Sequence, residues 1–228
     1  MKKSDLIFLL AVVLFFLPFF ACDAVYDFYK SFNKEHGMIM AFIKFAILAT
    51  LGEVIGLRIR TGKYNAPAFG IIPRAIVWGF LGLTIKMAFK IFAVGAPAFM
   101  EYMGVEGAAA SLGGDFSVTK LITAFAISVS MNTIYAPVMM TFHKITDMHI
   151  MNNGGTVSGL LKPIKFAQLF QGINWDVQWN FVFKKTIPFF WFPMHTITFM
   201  LPEEWQILFA AALGIALGVI LSIANQKK

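Results

Sequence analysis

Long apolar runs alternate with short polar stretches along almost the whole chain. They fall at residues 6–27, 38–58, 75–96, 121–143, 187–202 and 205–224. A bilayer crossing needs about 20 consecutive apolar residues as a helix, and most of these runs have that length. The pattern predicts an all-α, polytopic helical membrane protein with about six apolar segments, giving four to six crossings. The fifth run is short and broken by Pro188 and Pro193, which are expected to interrupt the helix just inside the membrane. It reads as tilted, re-entrant, or joined to the sixth as a hairpin around Leu201-Pro202-Glu203. The opening MKKSDLIFLLAVVLFFLPFFACDA carries lysines, an apolar run and Ala21-Cys22, the layout of a secretory or lipoprotein leader. Its run is longer than a usual leader core, so the expectation is an uncleaved first span.

The intervening stretches complete a single transmembrane domain over 1–228. Residues 97–120 are Gly/Ala-rich and acidic and read as a flexible outer loop. Residues 146–185 read as a cytosolic amphipathic segment. They open on the turn signal Asn152-Asn153-Gly154-Gly155. An interfacial helix is then expected over LLKPIKFAQLFQ, with Lys162, Lys165 and Gln168 on one face.

Composition supports the bilayer. Only 14% of residues are charged and 58% are hydrophobic, against about 25% charged in soluble domains; mean hydropathy is +0.72. The net charge of +7 is spread beside apolar runs, which argues against nucleic acid as a partner. Its placement sets orientation instead. With the N-terminus inside, Lys2, Lys3, Arg58, Arg60, Lys63, Arg74, Lys144, Lys162, Lys165, Lys184, Lys185, Lys227 and Lys228 are cytosolic. Only Lys30, Lys34 and Lys120 are outside. The positive-inside rule then favours N-in and C-in. The lysine-rich, arginine-poor start is unlike a mitochondrial transit peptide, so a bacterial cytoplasmic membrane is expected, with an organellar membrane as the alternative.

Ionisable groups within the runs are candidate functional residues, because a charge in hydrocarbon costs about 2.5–3.5 kcal/mol on insertion scales. Glu53 lies towards the inner end of the second run. Lys86 and Lys90 are four apart and share a face of the third. Helical rise separates Glu53 and Lys86 by roughly 7 Å in depth, a gap a lysine stem can close, so a Glu53–Lys86 pair is expected; the alternative is that both lysines snorkel to the surface. Asn132 at the middle of the fourth run needs a hydrogen-bond partner on another helix. Pro137 frees the Thr133 carbonyl and should kink that helix. His143 and Asp147 are i,i+4 neighbours that, with His149, could hold a cation or simply form a solvated helix end. His195 is a lone membrane histidine. Ala212, Gly214, Ala216 and Gly218 set small residues four apart for close helix packing. Trp175, Trp179 and Trp191 suit the headgroup zone, and Lys184-Lys185 the cytosolic edge.

Enzyme signatures are missing from the sequence. The single Cys22 excludes an intramolecular disulfide and a CxxC metal site. No zinc spacing, P-loop or Gly-x-Ser-x-Gly elbow occurs. No catalysis, cofactor or metal is therefore expected.

The stretch Ala136-Pro137-Val138-Met139-Met140-Thr141-Phe142-His143-Lys144-Ile145-Thr146-Asp147 is similar to a Gly-Pro-x-x-His/Gly-x-Trp-Tyr-x-x-Leu-Asp motif. Trp175, Gln178, Asn180-Phe181 and Ile187-Pro188 echo a Trp-Pro-x-x-Gln-x-x-Asn-Phe…Val-Pro run, and Gly52-Glu53 echoes a helix-ending Gly-Asp. In these features the chain resembles a distant prokaryotic relative of the Mpv-seventeen/PMP-twenty-two family of mitochondrial and peroxisomal membrane proteins. It departs from the pattern where Asp176 follows Trp175 and where Gln178 and Asn180 stand one residue closer together. The resemblance implies a compact helical membrane protein with a pore or small-solute role.

The expected function is a channel or facilitator for small solutes, anions among them, with Glu53, Lys86, Asn132, His143 and His195 converging on one cavity. The alternative is a non-transporting scaffold or assembly factor whose basic face binds lipid or a partner protein.

Overall fold

The computed structural model describes residues 2–226, so Lys227 and Lys228 of the charge pattern lie outside the described residues. Every element among them is helical. The chain packs as two compact units, one up to Met40 and one from Ala41 onward.

In the first unit the expected single span over 6–27 is not one helix. It comprises α1 (Lys3–Phe16), α2 (Pro18–Ala21) and part of α3 (Asp23–Glu35). Pro18 has no N–H to continue the α1 ladder and sits instead in the first turn of α2, where none is needed. Cys22 is extended and ends α2. With 14 residues, α1 is about 21 Å long, short of the roughly 30 Å hydrocarbon core. Most of its apolar side chains are exposed, Leu14 by 65%. The third helix is polar on one side, with Asp23 in its first turn and Lys34 in its last, both favourable to the helix dipole.

The long helices lie in the second unit, apart from the first residues of α4 (Gly37–Thr61), which belong to the first. Among the described residues two helices are long and apolar enough to cross a membrane: α4 and α5 (Ile71–Tyr102). A third span results if α7 (Val118–Ile134) and α8 (Ala136–Asn152) are taken together across their 44° bend. The fourth apolar run is therefore longer than 121–143, and its bend falls at Tyr135, two residues before Pro137. The kink expected from that proline is present. Tyr135 Oη lies 2.7 Å from Thr84 Oγ1 of α5, which ties the bend to its neighbour.

The loop expected over 97–120 starts later, because α5 runs through buried Pro97 to Tyr102. A short α6 (Ala108–Ser111) follows, and the Glu101 carboxylate accepts the Ala109 N–H at 3.0 Å. The amphipathic segment also differs. The Asn-Gly turn is present, with Gly154 and Gly155 at positive φ. Beyond it the expected helix is split into α9 (Val157–Leu160) and α10 (Phe166–Gln171). Pro163 is the cause: it lacks a donor and disfavours helical geometry at Lys162.

Pro188 and Pro193 do not break the chain where expected. One continuous helical rod runs through α11 (Trp175–Val177), a π-helical stretch Gln178–Trp191 and α12 (Phe192–Met200). Fourteen residues of π-helix far exceed the usual single turn. In this winding the N–H of Phe192 donates to the carbonyl of Ile187. The two prolines are also five apart, so their missing donors fall on one line of the widened helix. The rod ends at Leu201-Pro202, and α13 (Glu203–Gln226) follows.

Small residues set the closest crossings. Gly79 and Gly82 of α5 accept Phe42, Ala41 and Phe45 of α4. Gly52 of α4 meets the backbone of Gly214 and Ile215 on α13, and Gly218 meets Gly52 in turn. Of the small residues on α13, the glycine pair lies at this crossing, whereas Ala212 and Ala216 are exposed.

Candidate functional site

Five side chains from three helices meet near the start of α5. Gly70, at φ 71°, turns the chain into that helix. Arg74 sits one turn in and is only 4% exposed. Its Nε donates to the Phe69 carbonyl at 2.7 Å, and its guanidinium lies 4.4 Å from the centre of the Phe69 ring. Arg74 Nη1 donates to Glu53 Oε2 of α4 at 2.5 Å and also to Asp147 Oδ1 of α8. One turn along α5, Trp78 Nε1 donates to Glu53 Oε1 at 2.9 Å. His143 Nε2 lies 3.0 Å from the same oxygen and 3.9 Å from Asp147 Oδ1. The Trp78 and His143 rings pack 4.3 Å apart.

The arrangement is two carboxylates closed over one guanidinium, with an imidazole bridging them. Arg74 gives its Nε–H to Phe69 and the two N–H groups of Nη1 serve the two acids, a fixed fork that a lysine could not supply. The acids and the histidine keep about a fifth of their side-chain surface exposed, at 18–21%. They are thus reachable, while the arginine is not. Glu53, His143 and Asp147 bring ligand atoms within 4.8 Å of one another. One guanidinium and the neighbouring imidazole face the two acids, so these side chains already serve one another as partners in an ion-pair network.

The expected polar residues do not converge on one cavity. Glu53 and His143 join this cluster, together with Asp147 of the family-like motif. Lys86 does not: it lies 3.8 Å from Glu203 Oε1, and Lys90 lies 2.6 Å from the same atom. The Glu53–Lys86 pair is therefore replaced by Glu53–Arg74, because Arg74 approaches from the opposite end of α5. The Lys90 hydrogen bond holds the Glu203 carboxyl below its ordinary value, more than partial burial raises it.

Asn132 and His195 form a third group in the core. Ser128 Oγ donates to the Phe192 carbonyl at 2.8 Å, joining α7 to α12. Asn132 Nδ2 donates to the Ser128 carbonyl at 2.8 Å, and the Asn132 amide reaches His195 Nδ1 at about 3 Å. The imidazole lies against Trp191 and Phe89. A buried polar group that loses its partner costs about 1–3 kcal/mol, whereas replacing both partners with apolar groups is nearly neutral. Asn132→Leu and His195→Leu should each destabilise by that amount. The double variant should be no worse than either alone, giving strong coupling in a double-mutant cycle of thermal unfolding. Additive losses would mean that the two side chains are not partners.

The remaining expected residues take structural roles. His149 is buried and sits at the end of α8 against the Leu160 carbonyl and Asn153, apart from His143 and Asp147. Trp175 Nε1 donates to the Phe170 carbonyl, Asn180 to Asp176, and Gln178 is buried. A cavity of about 550 Å³ lies between α5 and α8. Its lining is apolar, and none of Glu53, Lys86, Asn132, His143 or His195 contributes to it.

Arg74 and Trp78 are the functional candidates that sequence reasoning passed over. Arg74 follows Pro73 at a helix start and resembles any other loop-end cation. The available signal was its i,i+4 spacing to Trp78, which places a cation and an indole donor on one helix face. Comparison with protein-family models, with curated proteins and with solved structures returns no match.

Proposed function

We propose that the chain is a multi-pass facilitator for small solutes in a bacterial cytoplasmic membrane, N-in and C-in, related to the Mpv-seventeen/PMP-twenty-two proteins it resembles. The observation that carries this reading is the Glu53–Arg74–His143–Asp147 network. Four ionisable groups are held among helices long and apolar enough to cross a bilayer. Such groups are costly in hydrocarbon and mark solute or proton paths in membrane proteins. The network acts as a gate at one end of the bundle, where Arg74 holds α4 and α8 together and the exposed acids and His143 meet the solute. An anion preference resting on Lys86 has no part in this gate, since Lys86 pairs with Glu203.

Solute release from liposomes carrying the purified protein tests the reading. Glu53→Gln should change the rate by about tenfold, corresponding to about 1.4 kcal/mol in the barrier. Lys86→Met, away from the gate, should leave it unchanged. Release no faster than from protein-free liposomes, with the protein folded, would overturn the facilitator. The second reading, a non-transporting scaffold that binds lipid, would then stand. The apolar lining of the α5–α8 cavity favours it.

A further inference from the structure

The cavity between α5 and α8 is a groove with a defined length, floor and mouth. Its walls are Ile76, Phe80 and Met87 on α5 and Val138 and Phe142 on α8. Its floor is the packed cluster of Val77, Leu81 and Met139. Its deeper part holds the Thr84–Tyr135 hydrogen bond, where the helix bends. Leu161 and Ile164 close the other end. Those two residues belong to the segment that Pro163 keeps out of helix, and the residues beside them are the exposed Lys162 and Lys165.

We propose that this groove is a binding site for one anionic phospholipid, with an acyl chain along α5 and α8 and the phosphate on Lys162 and Lys165. The inference rests on the membrane reading but not on transport. Length selects the occupant. From Ile76 to Met87 the groove runs about 17 Å by helical rise, roughly half of the 30 Å hydrocarbon core. That is the depth of one leaflet. A partner's membrane helix would need the whole thickness. The volume, about 550 Å³, lies within the range of about 300–1,000 Å³ typical of small-ligand sites. Charge selects the headgroup. Two exposed lysines, Lys162 and Lys165, are the chain neighbours of the lining residues Leu161 and Ile164, and a pair of cations beside an apolar groove suits a phosphodiester better than a zwitterion's cationic end. The irregular Leu161–Lys165 stretch thereby gains a role that the expected surface helix did not have: its apolar residues cap the chain while its lysines hold the head.

The test is native mass spectrometry of the full-length protein in neutral detergent. It is titrated separately with phosphatidylglycerol, phosphatidylcholine and chain-free glycerophosphate. Recovery of the protein in the membrane fraction is scored independently, so failure of the membrane reading is seen as such. Wild type should retain phosphatidylglycerol about tenfold over phosphatidylcholine, the order expected of two lysines near an anionic headgroup. Lys162→Gln/Lys165→Gln should bring the two lipids to parity. Val138→Trp fills the groove from a side chain that is already 69% exposed, so the fold should survive. It should lose phosphatidylglycerol by a similar factor. Parity of the two lipids in wild type would overturn the proposal. So would undiminished retention in Val138→Trp, or displacement of the lipid by glycerophosphate alone.

Discussion

Arg74→Met is expected to be among the most damaging single substitutions in the chain. The arginine is 4% exposed and is the shared donor to Glu53 and Asp147. Its loss leaves two carboxylates facing each other without a counter-charge in a mostly apolar setting. Breaking a buried pair in this way costs about 3–5 kcal/mol, because the surviving charge keeps its desolvation penalty and loses its partner. Methionine also fills most of the arginine stem's volume, so the loss is electrostatic more than steric. The check is unfolding of the detergent-solubilised protein, followed by heat or denaturant. A second variant separates the pair's net worth from the cost of breaking it. In Arg74→Met/Glu53→Gln/Asp147→Asn no charge remains, and the amides can still accept from Trp78 Nε1 and meet His143. Removal of all partners together is often neutral or stabilising, so this triple variant should recover most of the stability. If the network is the gate, flux should stay altered in the recovered protein. An Arg74→Met variant as stable as wild type would mean that the guanidinium is not buried between the acids.

The asymmetry between Arg74 and Lys86 shows where sequence reading reached and where it stopped. The apolar runs located α4, α5, the α7–α8 pair and α13, because hydropathy over about 20 residues reports the solvent of a whole segment. Asn132 and Pro137 were also legible, since a lone amide and a lone proline in an apolar helix each state a local need. Pairing was not legible. Two cations of α5, Arg74 and Lys86, follow Glu53 in the chain and compete for it. Which one it meets depends on the direction α5 enters, and that is set by the positive-φ Gly70 and the packing of the preceding loop. Proline effects ran against expectation in both directions. Pro18 and Pro163 interrupt helices that were expected to run through them, whereas Pro188 and Pro193, expected to break the chain, are absorbed by a π-helical rod. Their five-residue spacing fits that winding, yet only the fold shows that the winding exists. The apolar groove was invisible for another reason: α5 and α8 are not adjacent in sequence, and a gap between two faces has no signature on either.

Gly52→Leu should be the second large loss, and its sign runs against helix propensity. In an exposed helix, replacing glycine by a residue with a side chain gains about 0.5–1 kcal/mol, as the unfolded chain loses freedom. At Gly52 a Cβ would stand 2.8 Å from the Gly214 carbonyl oxygen and 2.8 Å from Ile215 Cα. Both are backbone atoms of α13 and cannot rotate away. The contact is reciprocal, since a Cβ on Gly218 would meet the Gly52 carbonyl oxygen at 2.8 Å. The only relief is to push α13 off α4, which opens the crossing over more than one turn. Overpacking of this kind costs about 1–3 kcal/mol, and Gly52→Ala should already be destabilising. Gly95 of α5 is the internal control, because a Cβ there meets nothing within 4 Å. Gly95→Ala should hold or raise the unfolding temperature while Gly52→Ala lowers it. The displacement also reaches the site, since Glu53 is the next residue and its carboxylate must still span to Arg74 and Trp78. Gly52→Leu should therefore alter flux along with stability, as Glu53→Gln does. Equal behaviour of the two alanine variants would mean that α4 and α13 do not cross at the glycines.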